Sequence, residues 1–127
     1  GLGEDVRARL IGAGKVTPDA LAAAEAVRAQ FAQEVDAALA EVDALVLPTL
    51  PILPPRLEDA ADAAAVIPLT RLVRPFNLSG HPALTIPLET AAGLPVGLQL
   101  VGRRGEDARL CAVATWMADQ LGIEGGR

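Results

Sequence analysis

The chain has 127 residues and a net charge of −5, with 51% apolar residues but only two Phe, one Trp and no Tyr. That length holds one domain or part of one, and the apolar share excludes wholesale disorder. The acidic balance and the scarcity of rings argue against a nucleic-acid surface, which needs clustered Lys and Arg with stacking aromatics.

Much of the apolar content is alanine, so an isolated core would be thin. No run approaches a membrane span, and the start Gly1-Leu2-Gly3-Glu4-Asp5 is no signal peptide. The missing initiator Met fits a fragment. Lone Cys111 excludes an internal disulfide and a cysteine metal cluster. These features predict a cytoplasmic, cofactor-free protein with no metal, no membrane contact and no nucleic-acid partner.

Along the chain, Val6 to Ile11 predicts a helix end closed by Gly12 and Gly14. Thr17-Pro18-Asp19 is a strong helix start, combining a capping hydroxyl, a first-turn proline and an acid at the positive end of the dipole. The helix is expected to run to about Glu41, with Val27, Phe31, Val35 and Leu39 as its apolar stripe. Asp43-Ala44-Leu45-Val46-Leu47 predicts a strand buried on both faces. Pro48 to Pro55 is then an ordered loop, because prolines at this density break both helix and central strand. The Ala-rich residues 56–66 predict a short helix or a flap.

Pro68 opens an expected helix to Leu78, irregular at Pro75 and ended by Gly80. Strands at 83–88 and 95–101 flank a loop containing Gly93, which predicts an antiparallel hairpin. Leu110, Val113, Ala114, Met117 and Leu121 stripe a last helix that stops at Gly122, with Glu106-Asp107 favouring its start. The order helix–strand–helix–strand–strand–helix indicates α/β layers.

Candidate chemistry is sparse. Ser79 and His81 lie two apart, but proximity in sequence supplies neither an oriented base nor an oxyanion pocket. Ser79 is expected to satisfy backbone groups at the helix end, and His81 to be a turn residue. Arg103 and Arg104 between a strand and a helix could meet an anion or simply face water. Ile67, Thr70 and Arg74 are spaced three and four apart, which places them on one face of the expected helix. They could wall a polar cleft, but spacing alone favours the plainer reading, in which Ile67 packs inward while Arg74 reaches solvent.

Several segments in this order resemble the amidase signature family of serine hydrolases. They are Val42-Asp43-Ala44-Leu45-Val46-Leu47-Pro48-Thr49, Pro75-Phe76-Asn77-Leu78-Ser79-Gly80 with Pro82-Ala83, and Gly93-Leu94-Pro95-Val96-Gly97-Leu98-Gln99-Leu100-Val101-Gly102. The resemblance implies a large α/β fold around a mixed sheet and hydrolysis of amides, or passage of the released ammonia to another subunit. In that family a serine attacks the carbonyl, a second serine in a cis peptide relays the proton and a lysine is the base. All three lie in an upstream Gly/Ser-rich signature that no part of this chain matches. The only serine and lysine here, Ser79 and Lys15, are not those residues.

What the resemblance carries over is a pocket wall. Family members place substrate-contacting side chains three, seven and ten residues before the motif asparagine, which here gives Arg74, Thr70 and Ile67. The branch that amidates tRNA-bound glutamate or aspartate has an acidic residue at the Thr70 position, so Thr70 implies a general amidase. Arg74 implies a substrate with a polar or acidic end. Asn77 and Gln99 are expected to satisfy backbone groups rather than to catalyse.

The expectation is therefore an α/β chain, residues 1–127, forming the C-terminal segment of one amidase signature domain. Its mixed sheet would have strands near 43–47, 83–88 and 95–101, packed by helices near 18–41, 68–78 and 106–121. It would contribute sheet strands and a pocket wall for a small-molecule amide substrate, with the catalytic N-terminal portion outside it and no activity alone. The alternative is a non-catalytic α/β interaction module, or a separate subunit that completes a split amidase. Uncovered strand edges would favour self-association.

Overall fold

The computed structural model describes residues 3–59 and 67–123. Of the expected short helix or flap at 56–66, Leu57–Asp59 forms a 3-10 turn after the exposed Arg56, and residues 60–66 lie outside the described residues.

The helix-start signal at Thr17 operates as expected. Thr17 Oγ1 accepts a hydrogen bond from the Ala20 amide at 3.2 Å, Pro18 occupies the first turn, and α2 (Pro18–Leu39) follows. Before it, α1 (Glu4–Ala13) ends in a right-handed turn. Gly14 has φ −64°, so the left-handed exit expected of Gly12 and Gly14 is not used. Only the second half of α2 is buried, through Ala32, Val35 and Leu39. Val27 of the expected stripe is 68% exposed.

Three strands form one sheet: β1 (Leu45–Pro48), β2 (Ala83–Glu89) and β3 (Pro95–Val101), in the order β1-β3-β2. The 90–94 loop joins β2 to β3 as the hairpin the sequence predicts. Thr90 Oγ1 accepts from the Leu94 amide at 3.0 Å, and Gly93 takes the positive φ of 76° that the tight turn requires. Val101 pairs with Ala83 on one side and Leu45 on the other, both antiparallel. The described sheet is thus antiparallel throughout rather than mixed. A strand buried on both faces is likewise corrected. β1 lies at the edge, with Leu45 and Leu47 half-buried and Val46 and Pro48 exposed.

Alternation along β3 builds a core on each face of the sheet. Val101 packs with Val35, Leu39 and Phe76 under α2 and α3 (Arg74–Ser79). Leu100 packs with Ile86, Leu110 and Ala114 under α4 (Asp107–Gln120). The result is a helix–sheet–helix sandwich. Gln99, on the Val101 face, is buried and donates to the Leu72 carbonyl at 3.1 Å, fastening the segment before α3 to the sheet. At Gly97 the outer strands meet over the central one. Thr49 and Thr85 hydroxyls lie 3.0 Å apart, and a Cβ on Gly97 would sit 2.6 Å from both side chains.

The single helix expected over 68–78 is not formed. Ile67–Thr70 is a 3-10 turn, and the α-helical geometry begins only at Arg74. Pro75 explains the break, since it has no amide hydrogen to offer the Arg71 carbonyl and its ring crowds that turn. The backbone tightens instead, with Arg71 N donating to Pro68 O at 3.0 Å and Val73 N to Thr70 O at 3.3 Å. Gly80 ends α3 at φ 76° as expected.

The outer edges of β1 and β2 have no strand partner among the described residues. Val46 and Trp116, beside the β1 edge, are 50% and 61% exposed. The isolated chain should therefore self-associate, with a light-scattering mass that rises with concentration. A concentration-independent monomer would contradict this. No helix among the described residues is long and apolar enough to cross a membrane.

Candidate functional site

The Pro75 break changes how the three expected wall residues stand. In a 3-10 turn residues three apart eclipse, so the Ile67 and Thr70 backbones share one side of the turn. The Ile67 side chain lies outside the described residues. Arg74 opens α3 and reaches back, its Nε donating to the Thr70 carbonyl at 3.4 Å. Both Thr70 and Arg74 are exposed and take part in further interactions. Thr70 and Arg74 are thus brought together, through main chain rather than along one continuous helical face.

Arg74 also borders a groove of about 710 Å³ between α2 and α3. Val27 and Phe31 line it from α2, Pro75 and Leu78 from α3, and Arg28, Arg71 and Arg74 bring three guanidinium groups to its rim. The α2 residues were invisible to the sequence reading of this site, because nothing local says which helix packs beside α3. Phe31 meets Phe76 with ring centroids 6.1 Å apart, which sets the spacing of the two helices at the groove floor.

The structure also brings together Ser79, His81 and Asp36. His81 Nδ1 lies 2.8 Å from Ser79 Oγ, and Nε2 lies 3.1 Å from Asp36 Oδ1. The order of groups is that of a nucleophile, a base and its orienting acid. Access decides against catalysis. Ser79 is 3% exposed and the His81 side chain 0%, so no carbonyl can approach the hydroxyl. The expectation of a turn histidine is corrected to a buried cross-link between α2 and the α3–β2 turn. The Ser79 hydroxyl donates to the Phe76 carbonyl at 3.2 Å, so the same oxygen ties the His81 ring to the end of α3. Asp36, 45 positions upstream, could not be found from sequence.

Arg103 and Arg104 are used internally too. Arg103 donates to Leu39 O at 3.0 Å and Val42 O at 2.9 Å, capping the carbonyl end of α2, and Arg104 pairs with Asp36. Both guanidinium groups thus have partners within the chain, Arg103 also meeting Glu106 at 3.5 Å. Asn77, expected to satisfy backbone groups, is exposed and its side chain makes no hydrogen bond among the described residues. Gln99 does what was expected of it.

Two carboxyls are held below their ordinary value of 3.8. The Arg109 guanidinium, 2.5 Å from Asp43, lowers that acid and is itself raised by the pairing. At Asp36, desolvation pulls upward but is outweighed by the hydrogen bonds from Arg104 and His81. A depressed folded-state pKa stabilises the fold above the ordinary value and loses that contribution as pH falls through the folded value. Asp43→Asn should therefore be less stable than the parent near neutrality. The gap should close below pH 3.8 in urea unfolding curves taken from about pH 7 to about pH 2. A gap that widens on acidification would contradict the assignment.

Residues 1–111 match the sequence model of the Amidase family. With the α/β sandwich described above, this shows that the chain belongs to the amidase signature family of amide-hydrolysing proteins.

Among its relatives, the glutamyl-tRNA(Gln) amidotransferase subunit from Pseudothermotoga lettingae is 35% identical over 120 residues, which is 90% of this chain and 26% of that protein. A crystal structure of an amidase superposes with a TM-score of 0.81 at 32% identity, covering 94% of this chain and 29% of that one. A 6-aminohexanoate cyclic dimer hydrolase complexed with substrate superposes at 0.67 with 28% identity, covering 86% and 27%. The chain spans about a quarter of the length of the curated relatives it matches.

Proposed function

We propose that this chain is the C-terminal part of an amide hydrolase, supplying sheet strands and one wall of the acyl pocket. The Ser–cis-Ser–Lys machinery lies outside it. The observation that carries this reading is that residues 1–111 match the family model while a relative matched over 120 residues is about four times as long. The chain's own composition supports it. Its one serine is buried in a structural cross-link, and its one lysine, Lys15, sits exposed in the α1–α2 connection. No cis peptide occurs among the described residues.

Ile67, Thr70 and Arg74 are assigned to substrate contact, and no residue here is assigned to bond cleavage. Arg74 donates to the Thr70 carbonyl, which keeps the two residues together and supports a common role. Thr70 favours an amidase acting on small linear amides over an amidotransferase component, since a neutral hydroxyl cannot pair with a donor's ammonium group as a carboxylate does. The partners under this reading are the amide substrate and the catalytic N-terminal portion. Immunoblotting of source cells against this segment tests it. A band near four times the mass of this chain is expected, and a band at 13.1 kDa would favour a separate subunit or a binding module.

A further inference from the structure

The buried cross-link between α2 and the end of α3 makes more hydrogen-bond contacts than a neutral histidine can serve, and we propose that it is a pH-sensitive clasp, closed by a doubly protonated His81 ring. The clasp stands apart from the proposed function and does not depend on it.

Hydrogens are the limiting quantity. Ser79 has one hydroxyl hydrogen, which it donates to the Phe76 carbonyl at 3.2 Å. That carbonyl also accepts from the Gly80 amide at 3.0 Å, one bond for each lone pair. The Ser79 oxygen therefore faces His81 Nδ1, 2.8 Å away, as an acceptor, and the hydrogen between them belongs to the ring. On the other side Nε2 stands 3.1 Å from Asp36 Oδ1. An ionised carboxylate only accepts, so this hydrogen is the ring's as well. Two ring nitrogens that both donate make an imidazolium. A neutral ring has one hydrogen fewer. Either Nε2 then turns a lone pair on the carboxylate, or Ser79 swings its hydrogen to Nδ1 and releases Phe76 O.

The charges fit this count. The His81 side chain is 0% exposed, and a buried cation needs a direct counter-charge. Asp36 supplies it with Oδ1 while Oδ2 accepts from Arg104, so the guanidinium keeps the acid ionised without displacing the ring. Asp36 and Arg104 are about half exposed, and water there moderates the surplus positive charge of the trio. Among the described residues these are the charged groups bonded to the cluster, Asp36 from α2 and Arg104 from the turn after β3, whereas α3 brings only the Ser79 hydroxyl and the Phe76 carbonyl. The ring and the hydroxyl are already closed off by residues of this chain, so no further segment is needed to complete the clasp. When the ring sheds a proton, α3 loses part of its hold on α2.

The chain has a single histidine, so the imidazole ¹⁵N spectrum of the full labelled chain reports this ring alone. At about pH 7, where an exposed histidine is mostly neutral, both ring nitrogens should carry hydrogen. On raising the pH the ring should lose one proton in a single step. The backbone amides of Asp36 on α2 and of Ser79 and Gly80 at the end of α3 should shift at the same midpoint. Two variants at partly exposed positions should move that midpoint in opposite directions. Asp36→Asn removes the counter-charge and should weaken the ring's hold on its proton about tenfold or more, whereas Arg104→Gln removes a competing cation and should strengthen it. A histidine that merely fills space would keep its midpoint in both.

A bare ring nitrogen in the folded chain at about pH 7 would overturn the proposal. So would a titration that leaves the α2 and α3 amides still, or a midpoint indifferent to Asp36→Asn. Should Asp36→Asn fail to fold, the parent spectrum and the direction of the Arg104→Gln shift decide between the two ring states.

Discussion

Leu100→Ala is expected to cost about 2–5 kcal/mol, enough to abolish cooperative unfolding of the isolated chain. Leu100 has no exposed surface and sits on the central strand, flanked by Val46 and Leu84 on its neighbours. Below it lie Ile86, Leu110 and Ala114, so deletion of the isobutyl group opens a cavity that strands on both sides prevent from closing. Val27→Ala removes a comparable apolar group at a position 68% exposed and should change stability by no more than about 0.5 kcal/mol. Urea unfolding of the two variants compares them directly. Similar losses at both positions would mean that the described core does not hold the chain together.

His81→Ala should be the next most damaging change, at about 2–4 kcal/mol, because it removes a fully buried ring together with its contacts to Ser79 Oγ and Asp36 Oδ1. The consequence reaches beyond the cavity. His81 joins Asp36 on α2 to the end of α3, and Arg104 joins Asp36 to the segment after β3. Loss of the ring should therefore loosen α3 against α2, the two helices that form the groove. Asp36→Ala and His81→Ala should be clearly non-additive when combined, because either one already breaks the link. Ser79→Ala, which keeps the His81–Asp36 contact, should cost less than His81→Ala. Additive losses for the Asp36 and His81 changes would dissolve the cross-link as an energetic unit.

Local signals carried much of the fold. Thr17-Pro18-Asp19 contains its helix start in adjacent atoms, and the 83–101 hairpin contains both strands and the Gly93 turn that joins them. Failures came where distant chain decides. An apolar run at 43–47 reads as buried on both faces, but only the pairing of β3 between β1 and β2 shows that β1 is an edge. Pro75 was visible as an irregularity. That a 3-10 turn replaces the first half of the helix, with Leu72 O held by Gln99 27 positions away, is not visible locally.

The site divides in the same way. Spacing picked out Ile67, Thr70 and Arg74, whereas Val27, Phe31 and the partner of His81 depend on how α2 packs beside α3. For the same reason neither reading of Arg103 and Arg104, an anion site or arginines facing water, anticipates their internal partners. Their carbonyl and carboxylate partners lie more than 60 residues upstream.

The most direct test of the account is a chimera in which this chain replaces the corresponding C-terminal quarter of an amidase relative, assayed for ammonia release from a simple aliphatic amide. The account predicts hydrolysis by the chimera, loss of turnover when the nucleophilic serine of the grafted N-terminal part is changed to alanine, and no release by this chain alone. A folded but inert chimera, or hydrolysis by the isolated chain that survives Ser79→Ala, would contradict it.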